Sequence, residues 1–168
     1  MSTRLYTILR NYLSKTSFFW KYRHLLQPEV WDSYKNDSIN SRRGYYNELL
    51  DRYDLNSVFE FGCASGPNFL AIYKSNKNIC FFGYDISKKA ISSIPYENEH
   101  SRLCFTSSLS NDKLQEYLKI NNLKFFDLSI FDRVLYMISE EELKNMLNKY
   151  SRYFNYIVID DFHSEVPV

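Results

Sequence analysis

The sequence has little glycine, proline, cysteine or histidine: four, four, three and three of 168 residues. The cysteines, Cys63, Cys80 and Cys104, are odd in number and lie in apolar contexts without C-x-x-C spacing, so a zinc module is excluded and the thiols read as reduced core residues. Long apolar runs are missing too. Arg4, Arg10, Lys15, Lys21, Arg23 and His24 interrupt the N-terminal stretch before it reaches the about 18 residues a membrane span needs, and no signal-peptide pattern fits. Neither sign of charge dominates, since 21 Lys and Arg against 20 Asp and Glu leave +1, and no general field draws the chain to nucleic acid. A basic stripe interleaved with aromatics and an N/D-P-P-Y/F loop are likewise absent, which argues against RNA or a base amino group as target. The expectation is a cytoplasmic protein whose partner is a small molecule, with no membrane and no metal.

What is present is apolar and aromatic: 45% hydrophobic residues and 18% Phe, Trp and Tyr, enough for one core in one ordinary domain. Leu5, Ile8, Leu9, Tyr12 and Leu13 recur at helical spacing, as do Tyr45, Tyr46, Leu49, Leu50 and Tyr53, with Pro28 between the two regions. From Ser57 short apolar runs alternate with amphipathic stretches. The runs 58–61, 79–84, 103–105, 126–131 and 156–160 predict five strands; 67–75, 87–94, 111–120 and 140–153 predict the helices between them. Such alternation gives an α/β fold with a doubly wound, mostly parallel sheet.

Two of the four glycines fall in Glu60-Phe61-Gly62-Cys63-Ala64-Ser65-Gly66, after the first strand and before a helix that Pro67 starts. A ligand lying against a strand end needs backbone without side chains there, and a helix N-terminus beyond it offers unpaired N–H groups. The dinucleotide fingerprint G-x-G-x-x-G would need glycine where Pro67 stands, so that reading is disfavoured. The second strand closes on Gly83-Tyr84-Asp85-Ile86-Ser87, which puts a carboxylate about 20 residues beyond the loop, where it can bond ribose hydroxyls.

Together, E-x-G-x-A-x-G and G-x-D-x-S resemble motif I and the second-strand acid of the class I S-adenosylmethionine-dependent methyltransferases, over roughly residues 40 to 162. The resemblance implies a Rossmann-like core at 55–168, a helical region at 1–54 that acts as a cofactor lid, and S-adenosylmethionine as cofactor. It implies cofactor contacts from Tyr46, Glu60, Gly62, Cys63, Ala64, Gly66, Asn68, Asp85, Ile86, Ser107, Ser108 and Asp132, with Arg42 and Arg43 near the donor's carboxylate. Glu60, Asp85, Asp132 and Asp160 or Asp161 are expected on one rim, at the carboxyl ends of the strands. The chain departs from the family pattern in having Ser107 and Ser108 where an Asp is common, Met137 where a His is frequent, and no sequence for the family's last two strands; N-terminal helices or a second subunit are expected to cover the exposed sheet edge.

Methyl transfer from a sulfonium needs alignment more than covalent help, so few residue types are diagnostic. Asp132, Tyr136, Asp161 and His163 are the candidates for a base, and the predicted activity is methyl transfer to a small molecule or sugar. Two alternatives stand beside it: a lyase-type enzyme that cleaves S-adenosylmethionine, and a catalytically silent module that binds it or a partner.

Overall fold

The computed structural model of the chain describes Leu13, residues 16–26, Glu29, Ser33, and residues 43–96 and 101–161. The helix expected over residues 5–13 lies outside the described residues except for Leu13. Among the described residues, two helices, α1 (Ser17–Leu26) and α2 (Gly44–Arg52), precede the sheet. Then β1 (Ser57–Phe61), α3 (Pro67–Ser75), β2 (Cys80–Tyr84), α4 (Lys88–Ser92) and β3 (Leu103–Thr106) follow in alternation. The second half holds α5 (Asn111–Ile120), β4 (Phe126–Asp132), α6 (Glu140–Tyr150) and β5 (Phe154–Asp160), with 3-10 turns at Leu135–Met137 and Ser151–Tyr153.

The helices start where side chains can satisfy their first N–H groups. Pro67 begins α3, Ser87 accepts from Ala90 N at 3.2 Å, and Ser110 accepts from Lys113 N at 3.3 Å. Ser139 and Glu142 form a reciprocal capping box at α6. The helix predicted to run to 153 ends at Tyr150 because its last turn tightens to 3-10 geometry. β5 begins two residues before the predicted start: Phe154 pairs with Phe126 and lies 4.8 Å, ring to ring, from Phe59.

All five strands are parallel, in the order β3-β2-β1-β4-β5. The chain lays down β1, β2 and β3 in one direction, then returns to the other side of β1 for β4 and β5. Alternate residues feed two cores. Val58, Phe81 and Ile130 pack under α2 and α3, while Phe59, Phe82 and Phe131 pack under α5 and α6. At the amino end, Asp127 Oδ2 accepts from Asn56 N (2.9 Å), Ser57 N (3.0 Å) and Ser57 Oγ (2.8 Å), which clasps β1 to β4. β5 is the last strand of the sheet and leaves Tyr156, Ile157 and Ile159 exposed. No described helix is long and apolar enough to cross a membrane.

Candidate functional site

The winding reverses between β1 and β4, and a doubly wound sheet opens a crevice at the carboxyl ends of the strands at that point. A cavity of about 300 Å³ lies there. Its wall includes Glu60, Gly62, Cys63, Ala64, Asn68, Asp85, Ile86, Asp132 and Tyr136, nine of the residues picked from the sequence.

The glycine loop is pinned to β2. Gly62 N (2.7 Å) and Cys63 N (2.9 Å) both donate to the Tyr84 carbonyl, and Ala64 N donates to Asp85 Oδ2 at 2.9 Å. The other oxygen of Asp85 accepts from Ser87 N at 2.8 Å, so one carboxylate joins the loop to the start of α4. Gly62 and Ala64 have φ of +79° and +49°, the left-handed region, and for an alanine that conformation is strained. A Cβ on Gly62 would sit 2.7 Å from Val134 Cγ2. Gly62→Ala is therefore expected to lower stability by about 2 kcal/mol, part from overpacking and part from the backbone. Adding Val134→Ala should return only the packing part; a thermal melt that Gly62→Ala leaves unmoved would contradict both terms.

Behind the loop is a buried polar network. Arg43, 1% exposed, donates through Nη1 to Asn68 Oδ1 and to Asp132 Oδ2, the latter at 3.0 Å. Asn68 Nδ2 donates to Glu60 Oε1 at 2.7 Å and Asp132 Oδ2 at 2.9 Å. Arg133 Nε lies 3.2 Å from Asp132 Oδ1. Glu60 Oε2 is buried with no hydrogen-bond partner among the described residues, although its side chain lines the cavity. Burial pushes the Glu60 carboxyl up to about 8, with repulsion from Asp132 and Asp85 adding to it and the Asn68 hydrogen bond and Arg43 opposing it. Burial likewise moves Asp85 up to about 6, against the N–H groups of Ser87 and Ala64.

These shifts dictate a pH dependence. Folded Glu60 and Asp85 hold protons more tightly than their ordinary values of 4.5 and 3.8 allow in the unfolded chain. Raising the pH from about 4 to about 8 therefore removes stability, by about 2 kcal/mol or more. Urea unfolding of the ligand-free protein at pH 5 and pH 8 should show the loss, and Glu60→Gln should flatten it. An unchanged stability across that range would contradict the burial of these acids.

Some of the expected contacts stand elsewhere. Tyr46, 2% exposed, is drawn into the core beside Leu50 and Phe69. Gly66 is covered by Ile94 and Phe69 and serves the start of α3. Ser107 and Ser108 follow β3, two strands away from β1, where Ser108 N bonds back to Thr106 Oγ1 at 3.1 Å; neither reaches the cavity wall. Arg43 lies behind the wall, not on it, and Asp161 Oδ2 accepts from Leu135 N at 2.6 Å, fastening the turn that carries Tyr136. Arg42 and His163 lie outside the described residues. Sequence reasoning passed over Trp20 and Arg23 of α1, and Arg133, Ile138 and Glu142, all on the wall. The i, i+3 spacing of Trp20 and Arg23 was the available signal, but it does not say what that face covers.

No protein-family model and no curated protein matches the chain. Solved structures do. The plantazolicin methyltransferase BpumL in complex with SAH aligns over 94% of this chain and 62% of its own, with a TM-score of 0.57 at 15% identity. The same protein with SAH and a pentazolic desmethylPZN analogue gives 0.59 over 88% and 58% at 15% identity. The methyltransferase domain of bacterial CtHen1 gives 0.56 over 70% and 63% at 14% identity. The chain has the class I methyltransferase fold. It spans about six-tenths of the length of the BpumL structures it matches, and at these identities the likeness is one of fold. The cavity, the glycine loop and Asp85 lie at the carboxyl ends of the strands, at the switch between β1 and β4, where open α/β sheets generally bind their ligands.

Proposed function

We propose that the protein binds S-adenosylmethionine in the β1–β4 crevice and transfers its methyl group to a small acceptor, a small molecule or sugar. The observation that carries this reading is the cavity wall itself: a left-handed glycine loop tied to a strand-end Asp, beside a buried carboxyl oxygen with no described partner. Asp85 would accept the ribose hydroxyls, Ile86 would pack on the adenine, and Glu60 Oε2 would receive the donor's ammonium. That BpumL was solved with SAH supports the same choice of ligand. Bound there, S-adenosylmethionine supplies a methyl group on a sulfonium, which is lost in one in-line displacement.

The chain's task is then placement in a desolvated pocket. Gly62 lets the ligand approach the backbone. Asp132, held by Arg43, Asn68 and Arg133, serves as an anchor for the pocket. Tyr136, 48% exposed on its 3-10 turn, remains the candidate to meet the acceptor. Of the expected lid at residues 1–54, α1, which brings Trp20 and Arg23 to the wall, would form the cover, while α2 packs in the core.

Calorimetry with S-adenosylmethionine and S-adenosylhomocysteine tests the reading, followed by mass spectrometry of the incubated donor. Binding of both and formation of S-adenosylhomocysteine are expected. Methylthioadenosine would indicate cleavage of the donor instead, binding without turnover would indicate a silent module, and absence of binding would overturn the site.

A further inference from the structure

Asn68 has two N–H donors and spends both, one on Glu60 Oε1 (2.7 Å) and one on Asp132 Oδ2 (2.9 Å). Its carbonyl oxygen accepts from Arg43. Asp132 also bonds Arg43 Nη1 at 3.0 Å and Arg133 Nε at 3.2 Å. The two carboxyl groups that Asn68 joins are therefore unequally served. Two guanidiniums bond Asp132, while Glu60 has one neutral N–H on Oε1 and, among the described residues, no partner on Oε2.

The other groups around Glu60 do not make up the difference. Asp85 at the end of β2 and Asp132 at the end of β4 repel a charge on it, and Arg43 attracts one through space. Burial keeps the Cys63 thiol and the Tyr84 hydroxyl neutral beside it. Arg23 of α1, Arg133 and Tyr136 after β4, and Glu142 of α6 share the cavity wall with it. A carboxyl that is 2% exposed and bonded through one oxygen only is held in its neutral form, in keeping with the value of about 8 that burial gives it. Once ionised, it has room on Oε2 for a cation that carries its own N–H donors. The cavity beside it is where such a cation arrives.

Resting on the donor reading above, we propose that Glu60 trades its carboxyl proton for the α-ammonium of an S-adenosyl amino acid, so that the ligand enters and a proton leaves to solvent. An opposite charge at hydrogen-bond distance favours the ionised form, and the ammonium thereby makes its own counter-ion. The exchange also lets the site read the amino-acid end of its ligand. A nucleoside without the amine leaves Glu60 protonated and gains nothing from it.

The test is calorimetry at pH 7 in two buffers of different ionisation heat, PIPES and imidazole, with S-adenosylhomocysteine and with methylthioadenosine, the nucleoside thioether that lacks the amino acid. S-adenosylhomocysteine is expected to release about 0.5 proton or more per ligand, and its affinity to rise about fivefold or more from pH 6 to pH 8. Methylthioadenosine shares the ribose that Asp85 would hold, so it reports any proton lost there; its release should be close to zero. Glu60→Gln keeps an oxygen for Asn68 but cannot ionise, and it should abolish both the release and the rise in affinity. No release with S-adenosylhomocysteine, equal release with both ligands, or a release that survives Glu60→Gln overturns the proposal. If methylthioadenosine binds too weakly to titrate, the Glu60→Gln arm decides. If S-adenosylhomocysteine itself fails to bind, the donor reading falls and this one with it; if it binds without releasing a proton, only this one falls.

Discussion

Asp85→Ala is expected to raise the dissociation constant for S-adenosylhomocysteine by about 100-fold or more. Two losses combine. The proposed ribose contacts go, each a hydrogen bond to a charged group, and so does the internal brace, because the carboxylate holds Ala64 N at 2.9 Å and Ser87 N at 2.8 Å. Without the brace, the left-handed Ala64 has nothing on β2 to keep it there. Asp85→Asn should rescue little. Each carboxylate oxygen accepts from a different backbone N–H, so an amide in either orientation turns its NH₂ toward a donor. Calorimetry on both variants, with circular dichroism to check that they fold, measures the effect; unchanged affinity in Asp85→Ala would remove this residue from the site.

Arg43→Met is expected to cost about 3 to 5 kcal/mol of stability, the usual consequence of deleting one member of a buried ion pair. Arg43 and Asp132 are 1% and 5% exposed, and Asn68 couples both to Glu60. Once the cation is gone, Asp132 and Glu60 are left facing each other with Arg133, at the solvent edge, as the nearby guanidinium. The penalty should be relieved by neutralising the stranded partner. Arg43→Met with Asp132→Asn is expected to lose less than the sum of the two single changes, by about 1 kcal/mol or more. Strict additivity in urea unfolding would show that the pair is not coupled.

The contrast between these two residues marks how far the sequence could be read. Asp85 announces itself: it ends an apolar run, follows a glycine loop at a suitable distance and precedes a serine cap. Pro67, Ser87, Ser110 and Ser139 mark helix starts for equally local reasons, which is why most element boundaries were predicted to within a few residues. Arg43 stands in a helical stretch among ordinary surface charges, and its burial depends on β4 and α3, elements far along the chain. Trp20 and Arg23 were hidden for the same reason, since periodicity defines a face and tertiary packing decides what it meets. Ser107 and Ser108 come from the resemblance alone, as stand-ins for an acid; they follow β3, two strands from β1, and are not among the residues of the cavity wall.

The position of β1 between β2 and β4 also has a consequence in time. Its neighbour on one side emerges soon after it, but the clasp on the other joins Ser57 to Asp127, 70 residues later. A nascent chain exposing only the first three strands has the glycine loop and Asp85 but no far wall, so no ligand can favour the half-made sheet over the unfolded chain. Non-local parallel pairing of this kind is slow and leaves apolar strand faces open while it waits. Residues 60 and 142 are both on the cavity wall; only when the second has been synthesised can the first stand in a complete pocket.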